Sequence, residues 1–146
     1  MKTVLFIACA CIVSVAASGD IMAEDVAARF AITKKQAQDC INKTKATQED
    51  LKAFDDQVLY LGDELLEEAD TRRAICALTC AAQARRLMVG PKLQLQKIYD
   101  FVNRDLDAPE YIKSKITSII DTCHAIVEET NDECAVGLKF YACLLN

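Results

Sequence analysis

The stretches CALTC at residues 76–80 and CAVGLKFYAC at residues 134–143 decide the fold of this chain, because both carry paired cysteines within helical patterns. With Cys40 and Cys123 they complete a set of six, in the order Cys40-x35-Cys76-x3-Cys80-x42-Cys123-x10-Cys134-x8-Cys143. An even set of cysteines in an exported chain predicts a disulfide framework rather than a metal site. Here the framework would tie helices together.

Helix geometry limits how these six cysteines can pair. Cys76 and Cys80 lie four residues apart on one predicted helix, so their β-carbons are ~5–6 Å apart, beyond the ~3.8 Å that a disulfide requires. Cys134 and Cys143 are separated by about 13 Å of helical rise. Excluding both pairs leaves ten of the 15 possible pairings.

The first 18 residues have the pattern of an export signal. A basic start at Met1-Lys2 precedes an almost entirely apolar run over residues 3–17, which is too short to span a bilayer. We expect a secretory signal peptide at residues 1–18, cleaved within a few residues of that boundary together with Cys9 and Cys11. The remainder, residues 19–146, is then one secreted, extracellular helical domain.

Composition favours an all-helical fold and argues against some partners. The chain has four glycines, two prolines and no Asn-Gly or Asp-Gly pair that would indicate a tight hairpin. Its formal net charge of −5 argues against nucleic acid or an anionic membrane surface as a partner. Asn42 begins a glycosylation sequon, for which a solubilising glycan is the functional interpretation.

Apolar residues recur at helical spacing and predict six helices. The first covers about residues 22–42, with a break near Thr33 where a capping-box pattern occurs. Thr47 is expected to cap the second helix, in which apolar residues continue at steps of three and four over residues 51–65. A glycine at position 62 is expected to bend this helix.

Four more helices follow, and their ends are marked by caps and by helix breakers. Asp70 is expected to cap a third helix over about residues 71–89, which Gly90-Pro91 would end. The fourth lies between this dipeptide and Pro109, which suits the first turn of the fifth. A second capping-box pattern at residues 130–133 is expected to open the sixth helix, which runs to the C-terminus.

The cysteine intervals, the export signal and the helical pattern together resemble the insect odorant-binding proteins. This family includes the pheromone-binding and general odorant-binding proteins, and the resemblance covers essentially all of residues 19–146. It implies an all-α fold of about six helices around an apolar cavity. It also implies three disulfides, which are Cys40–Cys80, Cys76–Cys134 and Cys123–Cys143.

The chain departs from the family pattern in two places. The interval between Cys40 and Cys76 is long for the family, and the acidic stretch at residues 63–68 is the expected excess. Three residues follow Cys143, so we expect no counterpart of the long tail that plugs the cavity in some moth pheromone carriers. Only a modest loss of ligand affinity is therefore expected between pH 7 and pH 5.

The resemblance implies a carrier that binds small apolar molecules such as odorants, pheromones or similar lipophiles in an internal cavity. Apolar rows that could equally fill a compact core are then interpreted as cavity walls. The candidate ligand-binding residues are Phe30, Leu78, Leu87, Met88, Ile116, Ile120, Val136, Phe140 and Leu144. Candidates for a hydroxyl contact with the ligand are Tyr60, Tyr99, Tyr111, Thr117 and Tyr141.

The sequence offers no pattern for catalysis, a cofactor or a metal. Its one histidine, His124, follows Cys123 directly, and bridged cysteines leave no thiol nucleophile. No zinc-protease motif, calcium loop or glycine-rich phosphate loop occurs. The expected partners are a small hydrophobic ligand and, indirectly, a chemosensory membrane receptor. We expect a monomer or a weak homodimer.

Two other classes of protein share parts of this pattern. One is a secreted helical interaction protein with a filled core, similar to a cytokine, which would take up no apolar probe. The other is a saposin-like lipid-binding protein, although saposin-like chains are shorter and have two residues between their paired cysteines. The three-residue gap at residues 76–80 disfavours that interpretation.

Overall fold

A computed structural model of the protein describes residues 19–58, 68–127 and 130–146. The predicted signal peptide, Tyr60, the predicted bend at position 62 and most of the acidic stretch lie outside the described residues. Within them the fold is all-α, as predicted. Seven α-helices and one short hairpin make up this described part: α1 (19–30), α2 (Lys34–Thr44), α3 (Gln48–Gln57), α4 (Ala69–Ala84), β1 (Met88–Val89), β2 (Lys92–Leu93), α5 (Leu95–Asp100), α6 (Glu110–Val127) and α7 (Glu133–Leu145).

The break predicted near Thr33 is confirmed and divides the first predicted helix into α1 and α2. Ala31, with φ of 50°, ends α1, and the backbone N–H of Ile32 donates to the carbonyl of Ala27 at 3.1 Å. Thr33 then caps α2: its hydroxyl oxygen accepts from the backbone N–H of Gln36, whose side chain accepts from the N–H of Thr33. The same reciprocal arrangement at Thr47 opens α3.

The prediction that the third helix continues to Val89 is wrong. This helix, α4, ends at Ala84, and Arg86 adopts a left-handed conformation with φ of 65°. Residues 88–93 form an antiparallel hairpin in which Val89 pairs with Lys92. Gly90, with φ of 57°, occupies the first central position of the turn, where positive φ is favoured in two-residue hairpins. The Gly-Pro dipeptide therefore makes a hairpin turn, and does not simply end a helix.

Two predicted caps are also wrong. Glu68 is the N-cap of α4 and Asp70 lies in the first turn, where its carboxylate pairs with Arg73. Asp132, not the threonine at position 130, caps α7 by accepting from the backbone N–H groups of Cys134 and Ala135. Asp70 therefore forms an ion pair instead of capping α4, and the carboxylate of Asp132 takes the capping role that the sequence pattern gave to the threonine.

A turn of π-helix, Phe101–Asp105, continues α5 and brings a further aromatic residue inward. The backbone N–H of Leu106 donates to the carbonyl of Phe101 at 2.8 Å, five residues back. After a short extended segment, Pro109 precedes α6 and its carbonyl accepts from the N–H of Lys113 at 3.1 Å. The predicted position of Pro109 at the helix start is thus observed to within one residue.

Three disulfides connect the helices, and they are the pairs that the resemblance implies. Cys40–Cys80 joins α2 to α4, Cys76–Cys134 joins α4 to α7, and Cys123–Cys143 joins α6 to α7. Each bridge removes chain entropy from the unfolded state, which stabilises a domain of this size by roughly 2–4 kcal/mol. Helices α4 and α7 each carry two cysteines, so they form the axis to which the other helices are attached.

The buried apolar residues form two clusters on either side of this axis. The N-terminal core lies among α1–α4 and one side of α7; its larger members are Met22, Val26, Ile41, Leu51, Phe54, Val58, Ile75, Leu78 and Leu138. The C-terminal core lies among the hairpin, α5, the π-helical turn, α6 and the other side of α7; its buried members are Leu87, Met88, Ile98, Phe101, Val102, Ile120, Cys123, Val127, Val136 and Phe140.

Candidate ligand-binding cavity

A cavity of about 300 Å³ lies between the two cores, next to the hairpin. Helices α1, α4, α5, α6 and α7 all contribute to its wall, together with the hairpin and the π-helical turn. This volume lies at the lower end of the range for small-molecule sites.

Seven of the nine predicted ligand-binding residues are at the cavity wall, namely Phe30, Leu78, Leu87, Met88, Ile116, Phe140 and Leu144. Ile120 and Val136 are not part of it. Both are fully buried and pack in the C-terminal core with Cys123. The structure therefore assigns these two side chains to the packing behind the wall.

The hairpin and the π-helical turn supply wall residues that the sequence interpretation did not select. Leu87 and Met88 were expected to line the cavity from the end of a helix. Leu87 instead lies just before β1 and Met88 lies in β1, and Leu93 of β2 lines the cavity as well. In the segment after the hairpin, the spacing of apolar residues predicts a helix. The π-helical turn at the end of that helix adds one aromatic side chain to the cavity wall, which the spacing did not identify. The remaining unselected apolar wall residues are Ile75, Ala82, Ile98, Phe101, Val102, Leu106, Ala108, Ile112 and Leu145.

Among the described residues that line the cavity, Arg29 has the one charged side chain, and it takes part in an ion cluster. Its guanidinium donates to both oxygens of Asp55 on α3 at 2.9 and 2.5 Å, and to Asp25 one turn earlier at 3.1 Å. The hydrogen bonds to Asp55 raise the pKa of Arg29 further above its usual value, despite the opposing effect of burial. Arg29 therefore stays protonated and connects α1 to α3 beside the cavity.

Of the four hydroxyl candidates that the structure describes, Tyr141 alone lines the cavity. Burial raises its pKa, although the charge and hydrogen bond of Arg29 act in the opposite direction. Its ring packs against that of Phe54, with 5.8 Å between the ring centroids. The phenol is therefore held neutral and in a defined position between the N-terminal core and the cavity.

The other predicted hydroxyl candidates lie elsewhere. Tyr99 donates its hydroxyl to Asp121 at 2.9 Å, and Tyr111 is 73% exposed on α6. Thr117 is not among the wall residues, and Tyr60 is outside the described residues. Sequence alone could not tell which of these hydroxyl groups face the cavity, because the residue type does not show which way a side chain on a helix points.

Thr79 is a polar wall residue that the sequence interpretation missed. It is 3% exposed, and its hydroxyl oxygen has no hydrogen-bond partner among the described residues. Gly137 on α7 lies directly opposite: a β-carbon there would come within 2.1 Å of the Thr79 oxygen. The lack of a side chain at Gly137, also a wall residue, is what leaves room for the hydroxyl at this helix crossing.

The described residues offer neither a metal site nor a membrane span. No group of three or more His, Cys, Asp or Glu side chains in residues 19–58, 68–127 and 130–146 is placed to hold a metal ion. No helix in the same ranges is both long enough and apolar enough to cross a bilayer. His124 is on α6 next to Cys123 and is not a wall residue.

Comparison with known proteins identifies one family. The family model described as the PBP/GOBP family matches residues 22–146, which is most of the chain and the whole of the cavity wall. No curated protein and no solved structure matches the chain. The family match therefore rests on the helical domain with its three bridges.

Proposed function

The chain belongs to the PBP/GOBP family, the insect pheromone-binding and general odorant-binding proteins, and from this premise we propose that it is a secreted carrier of small apolar molecules. The ligand is taken up without covalent chemistry into the cavity between the two cores. The three disulfides support an extracellular location, since such bridges persist mainly in oxidising compartments. The proposed role is binding and transport, without a catalytic step.

One observation carries this proposal: a cavity of about 300 Å³ whose lining is almost entirely aliphatic and aromatic. Close packing is the rule in protein interiors, and an apolar space of this size is suited to an apolar ligand. Burying eight to ten methylene groups of a ligand provides roughly 6–8 kcal/mol before the entropic cost of binding. The expected affinity is therefore micromolar or weaker.

The same observation supports a carrier over the two alternative classes. A cytokine-like protein requires a filled core, whereas here the wall residues on α4, α6 and α7 face unfilled space. A saposin-like protein opens its helices on a lipid surface. In this chain, disulfides hold together the helices that carry the cavity wall. One of them, Cys123–Cys143, joins α6 to α7.

The proposal is tested by replacing a small residue of the cavity wall with a large one, so that the new side chain fills the space. Ala82 lines the cavity from α4, so Ala82→Phe should occupy the space and abolish uptake of the fluorescent apolar probe N-phenyl-1-naphthylamine. Ala125 is exposed on α6, and Ala125→Phe is the matched control that should bind as the wild type does.

Wild-type protein should bind one probe molecule per chain with a saturable fluorescence increase. Circular dichroism of each variant reports whether the helices are retained. Absence of saturable uptake by the folded wild type would refute the carrier proposal. Equal uptake by the wild type and a folded Ala82→Phe variant would show that the probe binds elsewhere.

A further inference from the structure

We propose that Asn42 carries an N-linked glycan and that this glycan is attached before α2 folds. The inference rests on the extracellular location in the proposed function, because N-linked glycans are added to exported chains. It assigns to the protein a covalent modification that the carrier role does not require. The donor is a lipid-linked oligosaccharide of the secretory pathway.

The transfer forms one bond and breaks another. The amide nitrogen of Asn42, Nδ2, bonds to the anomeric carbon of the first sugar. The bond between that carbon and the diphosphate of the lipid carrier breaks, and the diphosphate leaves with the electron pair. Nδ2 loses one proton to a base of the transferring enzyme, so atoms and charge balance without an oxidant or a reductant.

The stretch Asn42-Lys43-Thr44 is the one acceptor sequon in the sequence. Its middle residue is lysine, and the motif excludes only proline at this position. The other asparagines lack a serine or threonine two residues later; they are Asn103, Asn131 and Asn146. Any N-linked glycan of this chain can therefore be assigned to one residue.

The sequon lies on the last turn of α2, at a corner of the domain that projects into solvent. Asn42, Lys43 and Lys45 are exposed at this corner. The buried face of the same helix carries Cys40 and Ile41. A glycan on Asn42 therefore extends away from the domain and displaces no packed side chain.

The nitrogen that would carry the glycan faces no competing partner. The Oδ1 atom of Asn42 accepts a hydrogen bond from Nε2 of Gln38, one turn earlier on α2, at 2.9 Å. In the part of the chain that the structure describes, Nδ2 of Asn42 donates to no other residue. The glycosidic linkage is therefore compatible with the folded helix, and the contact with Gln38 can remain.

The folded sequon does not present both of the groups that define it. Residues 42–44 are helical, and the hydroxyl of Thr44 donates to the carbonyl of Cys40 at 3.0 Å. The transferring enzyme recognises the hydroxyl together with the amide, since both belong to the motif. An unfolded chain presents both groups, whereas in α2 the hydroxyl is already bonded to the backbone. Transfer therefore precedes the folding of α2.

The order of synthesis leaves time for this transfer. The Cys40–Cys80 bridge, which joins α2 to α4, closes a separation of 40 residues. At roughly 5–20 residues per second, this length of chain takes about 2–8 s to synthesise. The sequon therefore enters the secretory pathway seconds before its helix can be bridged.

The glycan leaves the cavity unchanged. Helix α2, Lys34–Thr44, contributes no residue to the cavity wall. Glycosylated and unglycosylated protein should therefore bind N-phenyl-1-naphthylamine with the same affinity. The oligosaccharide covers an exposed corner with hydroxyl groups and so increases the solubility of the protein.

The experiment expresses the full chain in insect cells and measures the intact mass of the secreted protein. Its peptides are then treated with peptide N-glycosidase A, which releases N-linked glycans and converts the attached asparagine to aspartate. The variants Asn42→Gln and Thr44→Val destroy the sequon, whereas Thr44→Ser keeps it. Asn103 is exposed on the π-helical turn outside any sequon, so Asn103→Gln is the matched control.

We expect the mass of one oligosaccharide on the wild type, on Thr44→Ser and on Asn103→Gln, and its absence from Asn42→Gln and Thr44→Val. Enzymatic release should leave aspartate at position 42. The order of events is tested by cell-free synthesis with microsomes, which does not depend on secretion. A variant that lacks the bridge, Cys40→Ser with Cys80→Ser, should be glycosylated at least as fully as the wild type.

The outcomes separate this inference from the carrier proposal. Secreted wild-type protein that binds the probe but has the unmodified mass would overturn the glycan and leave the carrier standing. A glycosylated protein that binds no probe would do the reverse. Retention of the chain inside the cell with residues 1–18 uncleaved would overturn both the extracellular location and the glycan. Lower glycosylation of the variant without the bridge would overturn the order of events.

Discussion

The N-terminal core and the C-terminal core are built from the same kinds of residue but are packed differently. In the N-terminal core, large side chains such as Phe54, Met22 and Leu51 are excluded from solvent almost completely and touch one another. In the C-terminal core, residues such as Phe101 and Phe140 also face the cavity. In the N-terminal core only Ile75 and Leu78, among the buried residues that the structure describes, reach the cavity wall, whereas most buried residues of the C-terminal core do. The comparison indicates that the first core mainly supplies stability while the second borders the space for a ligand.

The axis formed by α4 and α7 allows both kinds of packing in one small domain. Leu138 and Phe140 are two residues apart on α7, and they belong to different cores. Two bridges attach this axis to α2 and α6. The helices are therefore held in place even where the space between them is unfilled. Effects on stability and effects on binding should therefore be separable by mutation.

The largest expected effect is on stability in the N-terminal core. Phe54→Ala should lower the free energy of unfolding by about 3–5 kcal/mol, because it leaves a void in closely packed surroundings. Phe140→Ala should cost only about 2 kcal/mol, since one side of that ring already faces unfilled space and makes fewer contacts. Urea unfolding of the oxidised variants, followed by circular dichroism, measures both.

Probe binding should respond in the opposite order. Phe140→Ala should alter the affinity for N-phenyl-1-naphthylamine while keeping the helical signal, whereas any folded fraction of Phe54→Ala should bind nearly as the wild type does. Equal losses of unfolding free energy in the two variants would contradict the difference in packing between the cores.

An intermediate effect is expected at the buried carboxylate of Asp50, which is 5% exposed. Burial opposes its ionisation, but hydrogen bonds from Arg73 and from the backbone N–H of Thr47 outweigh this and lower its pKa. Asp50→Asn should cost about 2 kcal/mol, less than for a fully buried pair because Arg73 is partly exposed and keeps Asp70. Thermal or urea unfolding at pH 7 gives the value.

Asp39 provides the matched control for this substitution. It lies on α2, is exposed and pairs with Lys35 at 3.0 Å, so Asp39→Asn should change stability by less than about 0.5 kcal/mol. Neither variant should change probe affinity, because neither residue lines the cavity. A loss of affinity in Asp50→Asn with its fold intact would show that the two cores are coupled.

The smallest expected effect is that of mild acid. The pKa of Asp50 is lowered by the contacts described above, and that of Asp132 is lowered mainly by Arg72. Groups with a lowered pKa in the folded state contribute stability that is present above the unfolded pKa of about 3.9 and is lost as the pH falls further. The free energy of unfolding should therefore change little between pH 7 and pH 5 from these two groups and fall below about pH 4.

Probe affinity should likewise fall only modestly between pH 7 and pH 5. A fluorescence titration at each pH, with unfolding measured in parallel, separates release from loss of the fold. Steep and complete release above pH 5 would indicate a titrating gate that Asp50 and Asp132 do not provide.

The fold was predictable from the sequence because its signals are local. Thr33 and Thr47 are caps whose partners lie three residues away, and the cysteine intervals carry the family pattern. The hairpin was missed because Gly90-Pro91 resembles a helix stop, and only the positive φ of the glycine distinguishes a turn that reverses the chain. A helix stop and a hairpin turn use the same residues.

The cavity wall was predictable only in part, because a row of residues four apart winds slowly around its helix. Residues four apart turn by about 40° relative to one another, so a row that starts at a cavity leaves it after one or two steps. Ile116 lines the cavity while Ile120 does not, and Phe140 lines it while Val136 does not. The contact between Arg29 and Asp55 joins residues on different helices, and no sequence spacing could reveal it.

Methyl NMR of the oxidised protein titrated with 2-decanone tests most directly whether the two cores have different roles. Ile98 and Ile116 line the cavity, whereas Ile41 and Leu51 belong to the N-terminal core and are not wall residues. We predict saturable shifts for the methyl groups of the first pair and almost none for those of the second. Shifts of equal size in both pairs, or no saturable shift at all, would contradict the division of this domain into a stabilising core and a binding core.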